Sequence, residues 1–225
     1  MSSPNFEVLM LEPEEAAQYM RIRHEAFRST VNRILYPKGE PSQKTLDRVI
    51  SDIQDDMANK SYLYLKCLDK STCEIIAAAR WRYVKPKTPG ATERTWEEVE
   101  AAFKERMQPY DESEPELLNE LFDVFNEHKR RHLGTRPYYV LDTLATHRNH
   151  ERRGAGGMLV RWGCEKADEA GVQAYLEASP MGAPMYARHG FVEVGKIHID
   201  LTKNGGQGTE DFIPMRRPTK TERSV

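Results

Sequence analysis

The feature that most constrains the fold of this chain is a glycine-rich turn between a strand-like run and a helix-like run. Residues 148–158 read Arg-Asn-His-Glu-Arg-Arg-Gly-Ala-Gly-Gly-Met. The apolar run 138–145 precedes the turn, and a segment with helical apolar spacing follows it. A turn that leads from a strand into a helix exposes the first N–H groups of the helix, which together with the helix dipole attract anions. The sequence therefore predicts an α/β unit that binds a phosphate-bearing ligand.

The residues of the turn agree with this interpretation. Gly154, Gly156 and Gly157 allow a phosphate to approach where a Cβ would obstruct it, and Arg152 and Arg153 add positive charge. The turn is not a Walker loop, because no Gly-Lys-Ser/Thr follows, and it lacks the full spacing of the dinucleotide fingerprint. For this segment taken alone, an ordinary tight turn is the alternative.

Two downstream motifs add a family resemblance. A strand-like run, Ala-Tyr-Leu-Glu-Ala-Ser, covers residues 174–179, and Met-Tyr-Ala-Arg-His-Gly-Phe covers residues 185–191. With the loop motif Glu-Arg-Arg-Gly-Ala-Gly at 151–156, and in this order and spacing, residues 139–192 resemble the core of the GNAT superfamily, the GCN5-related N-acetyltransferases. Within that superfamily the sequence is most similar to small fungal-type members with Leu-Ala-Thr-His before the loop.

The resemblance implies an α/β GNAT fold. Its mixed, mostly antiparallel sheet has about six to seven strands, splays between strands 4 and 5, and is flanked by helices. It also implies a single N-acetyltransferase domain over residues 1–217, with a helical insertion at 85–137 and a disordered tail at 218–225.

Local patterns in the chain are compatible with this order of elements. They predict a strand at 6–11, helices at 12–28 and after Ser42, and a hairpin of strands at 61–68 and 74–84. In the insertion, Thr95 and Glu98 form a capping-box pattern, and a second helix begins near Ser113. Further strands are expected at 173–178, 191–201 and 210–215. The insertion could cover the substrate side of the cleft or form a dimer surface.

The resemblance implies an acyl-CoA-dependent N-acyltransferase that moves an acetyl group from acetyl-CoA to a primary amine, with a small molecule as the favoured acceptor. Transfer would be direct, without a covalent enzyme intermediate. By similarity, the acyl-CoA cosubstrate is held by the end of the fourth strand, the loop and the fifth strand. These residues are Leu144, Ala145, Thr146, Arg152, Arg153, Gly154, Ala155, Gly156, Gly157 and Ser179.

Three residues are predicted to carry the chemistry. The resemblance places Tyr186 near the thioester sulfur, and a phenol of pKa about 10 stays protonated at neutral pH and can protonate a thiolate. Asp142 and Glu177 are carboxylates inside apolar runs, and burial would raise their pKa towards that of a general base. Both could instead face outward from their strands. His147 is a further candidate base, and Ser179 could be a turn residue before Pro180.

One position departs from the family pattern. Glu151 stands where GNAT loops carry Gln or Arg. A carboxylate beside a pyrophosphate is unfavourable unless it points away or pairs with Arg148 or Arg153.

Composition and cysteine content limit the cellular locations and partners that are expected for this chain. The chain has 225 residues, a net charge of −2 and three cysteines without a C-x-x-C pair. Free thiols, the absence of a secretory signal at the N-terminus and the absence of a long apolar run predict a cytoplasmic location and no membrane partner. No metal site is indicated, and the mixed charge predicts no nucleic-acid partner. Peptide acetylation, a non-catalytic acyl-CoA-binding module and a nucleotide-binding protein remain alternatives, and a homodimer stays open.

Overall fold

The computed structural model describes residues 5–60, 62–204 and 206–224. The predicted hairpin begins at Ser61, and the turn before the last strand contains Gly205; these two residues lie outside the described ones. The N-terminal half contains β1 (Phe6–Met10), α1 (Ala16–Phe27), α2 (Asn32–Leu35), α3 (Gln43–Ala58), β2 (Leu63–Asp69) and β3 (Glu74–Val84).

These elements largely follow the local signals. The Ser42 hydroxyl accepts a hydrogen bond from the Thr45 amide and so caps α3. A 3-10 turn at Pro13–Glu15 precedes α1. The short helix α2 lies between the two helices predicted at 12–28 and after Ser42, where the sequence predicts no regular element. Its Ile34 and Leu35 are buried, so tertiary packing decides its conformation.

Two helices lie between β3 and the next strand. They are α4 (Trp96–Lys104) and α5 (Pro115–Leu133). The predicted capping box at Thr95 and Glu98 is present at the start of α4.

The C-terminal half contains β4 (Tyr138–Thr146), α6 (Ala155–Glu169), β5 (Gln173–Ala178), α7 (Ala183–Ala187), β6 (Val192–Glu193), β7 (Ile197–Asp200) and β8 (Thr209–Arg217). The strand predicted over 191–201 is therefore wrong, because β6 and β7 are separate. The gap between them lies opposite Ile213 and Pro214 of β8. Proline has no N–H to donate, so the ladder cannot continue regularly across that position.

The strands form one mixed sheet in the order β1-β2-β3-β4-β5-β8-β6, with β7 paired to β8. Within the described residues β4 and β5 run parallel, and the other strand pairs are antiparallel. The predicted mostly antiparallel, helix-flanked sheet is confirmed, with eight strands instead of six to seven.

Helices cover both faces of this sheet. On one face, α6 packs Leu159 and Val160 against Trp81 of β3, whose indole N–H donates to the Leu159 carbonyl at 3.3 Å. On the other face, α1 and α3 bury Tyr19, Met20, Val49 and Ile53 against β2 and β3. Helix α5 packs its leucines against α2, β7 and β8.

The segment after β8 has a defined path in the described residues. The sequence predicts disorder from residue 218, whereas a 3-10 turn occupies Glu222–Ser224. Arg223 of this turn pairs with Asp168 of α6. The division into one domain with an insertion stays a prediction. No helix within residues 5–60, 62–204 and 206–224 is long and apolar enough to span a membrane.

Candidate functional site

The central feature of the site is the point where β4 and β5 separate. Their parallel pairing runs from Tyr138 and Gln173 to Leu141 and Leu176 and ends there. In the ladder with β3, Arg80 pairs with Thr143 and Trp81 pairs with Leu141, so Asp142 is an extra, bulged residue. The bulge and the end of the β4–β5 pairing coincide, which opens the splay that the sequence predicts between strands 4 and 5.

The glycine-rich loop lies beyond the carboxyl end of β4. Gly154, at the N-cap of α6, has φ +96°, and Arg152 has φ +61°. Only glycine adopts such values without strain, which explains a glycine at the helix entry. Gly156 faces β4 so closely that a Cβ there would lie 3.4 Å from Thr146 Oγ1. The first amides of α6 therefore point out beside the open end of β4, as in an anion site.

The two arginines of the loop behave differently from the prediction. Arg152 is exposed, but the Arg153 guanidinium turns back to β2, where it donates to Asp69 at 2.9 Å and lies 4.8 Å over the Phe6 ring. With Ser71 as the larger cause, this contact keeps the pKa of Asp69 below its usual range. Glu151 is exposed and does not pair with Arg153. The Arg153 side chain is thus committed to the fold, and its backbone amide is what it can offer a ligand.

Tyr186 lies on α7, directly after β5. Its ring is partly buried and contacts Phe191 edge-on at 6.1 Å between centroids. Burial raises the pKa of Tyr186 above its ordinary value of 10. The hydroxyl therefore remains protonated at neutral pH, as an acid must before it acts.

Ser179 caps the turn that leads into α7. Its hydroxyl accepts the Gly182 amide at 3.2 Å, and its carbonyl accepts the amides of Gly182 and Ala183. This contact gives Ser179 the turn role that the sequence leaves open. Its position at the end of β5 still places it beside the splay.

Glu177 and Asp142 lie on the face of the sheet opposite α6, on either side of the splay. Glu177 is 7% exposed at its side chain and faces the ammonium of Lys129, from α5, at 3.3 Å. Burial raises the pKa of Glu177, Lys129 opposes that rise, and the nearby Asp142 adds to it. Asp142 is 13% exposed at its side chain and lies 3.7 Å from Arg82. Two largely buried carboxylates therefore lie close enough for Asp142 to influence the pKa of Glu177.

Several of these polar atoms have no hydrogen-bond partner. In the described part of the chain, the buried Tyr175 hydroxyl and Arg80 Nε have none. Glu177 Oε1, Asp142 Oδ2 and Arg82 Nε form no hydrogen bond of good geometry, and their contacts are the ion pairs Lys129–Glu177 and Arg82–Asp142. Buried polar groups are normally satisfied by protein, water or ligand. This cluster is thus a place where a polar ligand or solvent would complete the bonding.

The remaining candidates are less suited to the chemistry. His147 accepts the Asn149 amide and lies 3.9 Å from Glu25, beside a separate cavity of about 440 Å³ between α1 and the loop. Cys164 is buried, and burial raises the pKa of its thiol to about 11, which agrees with a packing role. Among residues 5–60, 62–204 and 206–224, no three His, Cys, Asp or Glu side chains are arranged to hold a metal ion.

The sequence did not reveal the basic residues of this face. Arg80 and Arg82 alternate within the buried strand β3, a pattern that could have indicated a polar patch. Lys129 had no such signal, since it lies in the insertion, far along the chain from Glu177.

Comparisons with known proteins agree with this architecture. Residues 121–191 match the model of the Acetyltransferase (GNAT) family. A histone acetyltransferase HPA2 and related acetyltransferase from Corynebacterium glutamicum is 18% identical, with a TM-score of 0.57 and coverage of 96% of this chain and 97% of that chain. A mosquito arylalkylamine N-acetyltransferase like 5b is 10% identical, with a TM-score of 0.62 and coverage of 95% and 99%.

A third structure, the polyamine N acetyltransferase of Drosophila melanogaster, is 12% identical, with a TM-score of 0.62 and coverage of 95% of this chain and 99% of that chain. At these identities the structures establish the fold and not the substrate. Together with the match at 121–191, they confirm the predicted resemblance to the GNAT superfamily.

Proposed function

We propose that this chain, which has the GNAT acetyltransferase fold, transfers an acetyl group from acetyl-CoA to a primary amine of a small molecule. The observation that carries the proposal is the separation of β4 and β5 after Leu141 and Leu176, with the N-terminus of α6 at the open end. A splay of this kind offers one strand edge and one anion site to a single extended ligand.

The residues present fit the cosubstrate. Beyond Leu141 the backbone of Leu144, Ala145 and Thr146 is paired with β3, and its other edge faces the splay, where it can bond a pantetheine arm. The amides from Arg152 to Gly157 would receive the pyrophosphate at the start of α6. Glu151 does not obstruct this, because its side chain is exposed. When bound, acetyl-CoA would supply the acetyl thioester.

Tyr186 is proposed as the general acid. We assign its phenol to the wall of the splay because α7 follows β5, and its raised pKa keeps the proton on Oη at neutral pH. The phenol would give its proton to the departing sulfur as the carbon–sulfur bond breaks, and the phenolate would regain a proton from solvent. Because a thiol has a pKa of about 8.5, below that of the phenol, this transfer is uphill and has to be coupled to cleavage of the thioester.

Glu177 and Asp142 are proposed to take the proton from the acceptor ammonium, directly or through a water. Burial raises the pKa of Glu177, and the nearby Asp142 adds to the rise while Lys129 opposes it, which makes Glu177 a stronger base than a solvent-exposed carboxylate. Removal of this proton leaves a neutral amine, the form that can attack the thioester.

A small acceptor is favoured by the insertion. Helix α5 brings Lys129 to Glu177, and the segment before it brings Tyr110 against Tyr36, so this side of the cleft is covered. The mosquito and Drosophila structures carry the names of enzymes that act on arylalkylamines and polyamines. A covered cleft leaves less room for an extended peptide. A cytoplasmic location and a homodimer remain predictions from the sequence.

The first test is calorimetric titration with acetyl-CoA, with ATP as control. We expect micromolar binding of acetyl-CoA and none of ATP, followed by thiol release in a screen of primary amines. Acetyl-CoA binding without thiol release from any amine or peptide would indicate a non-catalytic module. Equal binding of ATP would refute the proposal.

A matched pair of variants tests where the cosubstrate binds. Gly154 and Gly171 lie at opposite ends of α6, both have positive φ, and a Cβ at either meets no atom within 4 Å. Gly154→Ala and Gly171→Ala should therefore carry a similar backbone strain of about 1–2 kcal/mol. We expect Gly154→Ala alone to weaken acetyl-CoA binding. Equal affinity in both variants would argue against the loop as the phosphate site.

A further inference from the structure

Two guanidinium groups on the face of the sheet opposite α6 form no ion pair with the carboxylates that the structure describes. Arg80 projects from β3 on the face opposite α6, and Arg23 projects from α1, which packs on that face. Neither forms an ion pair with a carboxylate in the described residues, whereas the neighbouring Arg82 pairs with Asp142. Buried or half-buried cations are normally paired, so a bound anion would stabilise these two groups.

The environment of Arg80 is already desolvated. Its guanidinium lies 4.7 Å over the Tyr62 ring, and its Nε is buried without a hydrogen-bond partner. Burial disfavours the charge of Arg80, and Asp142 and the tyrosines around it favour that charge. The group therefore stays charged without a carboxylate at ion-pair distance.

Arg23 lies near the same space. Its guanidinium donates a weak hydrogen bond to Met20 Sδ at 3.8 Å. Burial raises the pKa of Tyr19, and the positive charges of Arg80 and then Arg23 oppose that rise. Burial likewise raises the pKa of Tyr110, with Arg23 as the largest opposing charge and Arg80 among the others. The charges of Arg23 and Arg80 thus both lower the pKa of the same two phenols, Tyr19 of α1 and Tyr110 of the segment before α5.

The acidic groups around this space are engaged elsewhere. Glu40 bonds His24 and Arg28, and Glu112 accepts the Thr45 hydroxyl and the Ser42 amide. Asp56 accepts the Tyr64 hydroxyl at 2.9 Å. Rearranging one of them to reach Arg23 or Arg80 would break an existing hydrogen bond.

The face carries charges of both signs in equal number. Its basic groups are Arg23, Arg48, Arg80, Arg82 and Lys129, and its acidic groups are Asp52, Asp56, Glu112, Asp142 and Glu177. Arg48, Arg82 and Lys129 each pair with a carboxylate, whereas Arg23 and Arg80 form no ion pair in the described residues. A purely cationic acceptor, such as a diamine, would leave both guanidinium groups without a counter-charge.

We propose that the acceptor is an amine that also carries a carboxylate, with Arg23 and Arg80 binding the carboxylate while Glu177 and Asp142 receive the ammonium. The inference rests on the proposed function and specifies its substrate class. Guanidinium groups bind carboxylates through two parallel N–H···O bonds, which gives both affinity and orientation.

The test uses acceptors in pairs that differ by the carboxylate alone. 6-Aminohexanoate, 4-aminobutyrate and L-phenylalanine are compared with pentylamine, propylamine and 2-phenylethylamine, by thiol release and by calorimetry on the protein saturated with CoA. For at least one pair we expect the carboxylate to raise kcat/KM and affinity by about 10- to 100-fold, the range for a hydrogen bond to a charged group.

Variants locate the effect. Arg80→Gln and Arg23→Gln should abolish the preference for the carboxylate and leave acetyl-CoA affinity intact. Arg21→Gln, on the exposed side of α1, is the matched control and should keep the preference. Arg23 is half-buried, so its variant serves as the test if Arg80→Gln fails to fold.

The outcomes separate the two proposals. Equal or better turnover of the amines without carboxylate would refute the acceptor class and leave the acetyltransferase proposal standing. Arginine-dependent binding of the carboxylates without thiol release would support the anion site and refute catalysis. A stronger response to an aminoalkyl phosphate than to its carboxylate counterpart would overturn the choice of anion.

Discussion

Lys129→Met is the most informative single perturbation, because it removes one partner of the most buried ion pair in the cleft. The ammonium lies 3.3 Å from Glu177, and the two side chains are 11% and 7% exposed. Methionine preserves the length and the apolar stem of the lysine side chain. The variant therefore removes the charge and leaves most of the packing of α5 intact.

The size of the effect follows from distance and burial. At 3.3 Å and an effective dielectric constant of about 20, the pair interacts by about 5 kcal/mol. Methionine does not have to be stripped of a charged group's hydration, which offsets part of this energy. Breaking a buried pair therefore typically costs about 3–5 kcal/mol. We expect Lys129→Met to lower the free energy of unfolding by about 3 kcal/mol at pH 8, within that range.

The loss should depend on pH. Burial already raises the pKa of Glu177, and without Lys129 it rises further. A carboxyl whose folded pKa is raised stabilises the fold below its unfolded pKa, and this contribution is lost as the pH rises through the folded pKa. The variant can therefore protonate Glu177 in mild acid. Its deficit should fall below about 1 kcal/mol at pH 5.

Urea unfolding at pH 5 and pH 8, followed by circular dichroism, measures this difference between variant and wild type. The double variant Lys129→Met/Glu177→Gln should recover most of the stability at pH 8, because it leaves no unpaired charge. Lys44→Met, which breaks the exposed pair with Asp111, should unfold like the wild type. A deficit that is equal at both pH values, or that the double variant does not relieve, would show that Glu177 is not a buried carboxylate held by Lys129.

Three further predictions concern the acid, the core and a cysteine. Tyr186→Phe should lower kcat by about 100-fold or more with little change in acetyl-CoA affinity; equal losses in both would argue against proton donation. Gly163→Ala should destabilise by about 1–3 kcal/mol, because a Cβ there would overlap the indole ring of Trp81. The loss should shrink in a Trp81→Phe background, measured by thermal unfolding. Cys164→Ala should keep kcat/KM unchanged, since the buried thiol has a pKa of about 11; loss of turnover in a folded protein would instead indicate a direct role of this thiol in the reaction.

Much of the fold was predictable because its signals are local. The capping box at Thr95 and Glu98 and the serine cap at Ser42 are both set by residues within a few positions of each other. The glycine turn after β4 is of the same kind, since Gly154 needs a positive φ whatever packs around it. These elements, and the splay that the family resemblance implied, could be placed from the sequence.

Other features depend on partners that are distant in the chain. The split of the strand predicted over 191–201 depends on Pro214 in β8, and the helical state of α2 depends on packing against α5. The pattern of apolar residues along one segment gives no information on which N–H and C=O groups the neighbouring strand can offer.

The sequence by itself thus determined most of the elements, the glycine-rich loop between β4 and α6, and the candidate acid and bases, because backbone preference and side-chain chemistry belong to each residue. The tertiary structure alone decided how these groups are charged and paired. It brought Arg153 to Asp69 and Lys129 to Glu177, and within the described residues it left Arg23 and Arg80 without a carboxylate at ion-pair distance. The physical reason is that pairing and pKa depend on distance and desolvation, which arise only when separate elements pack together.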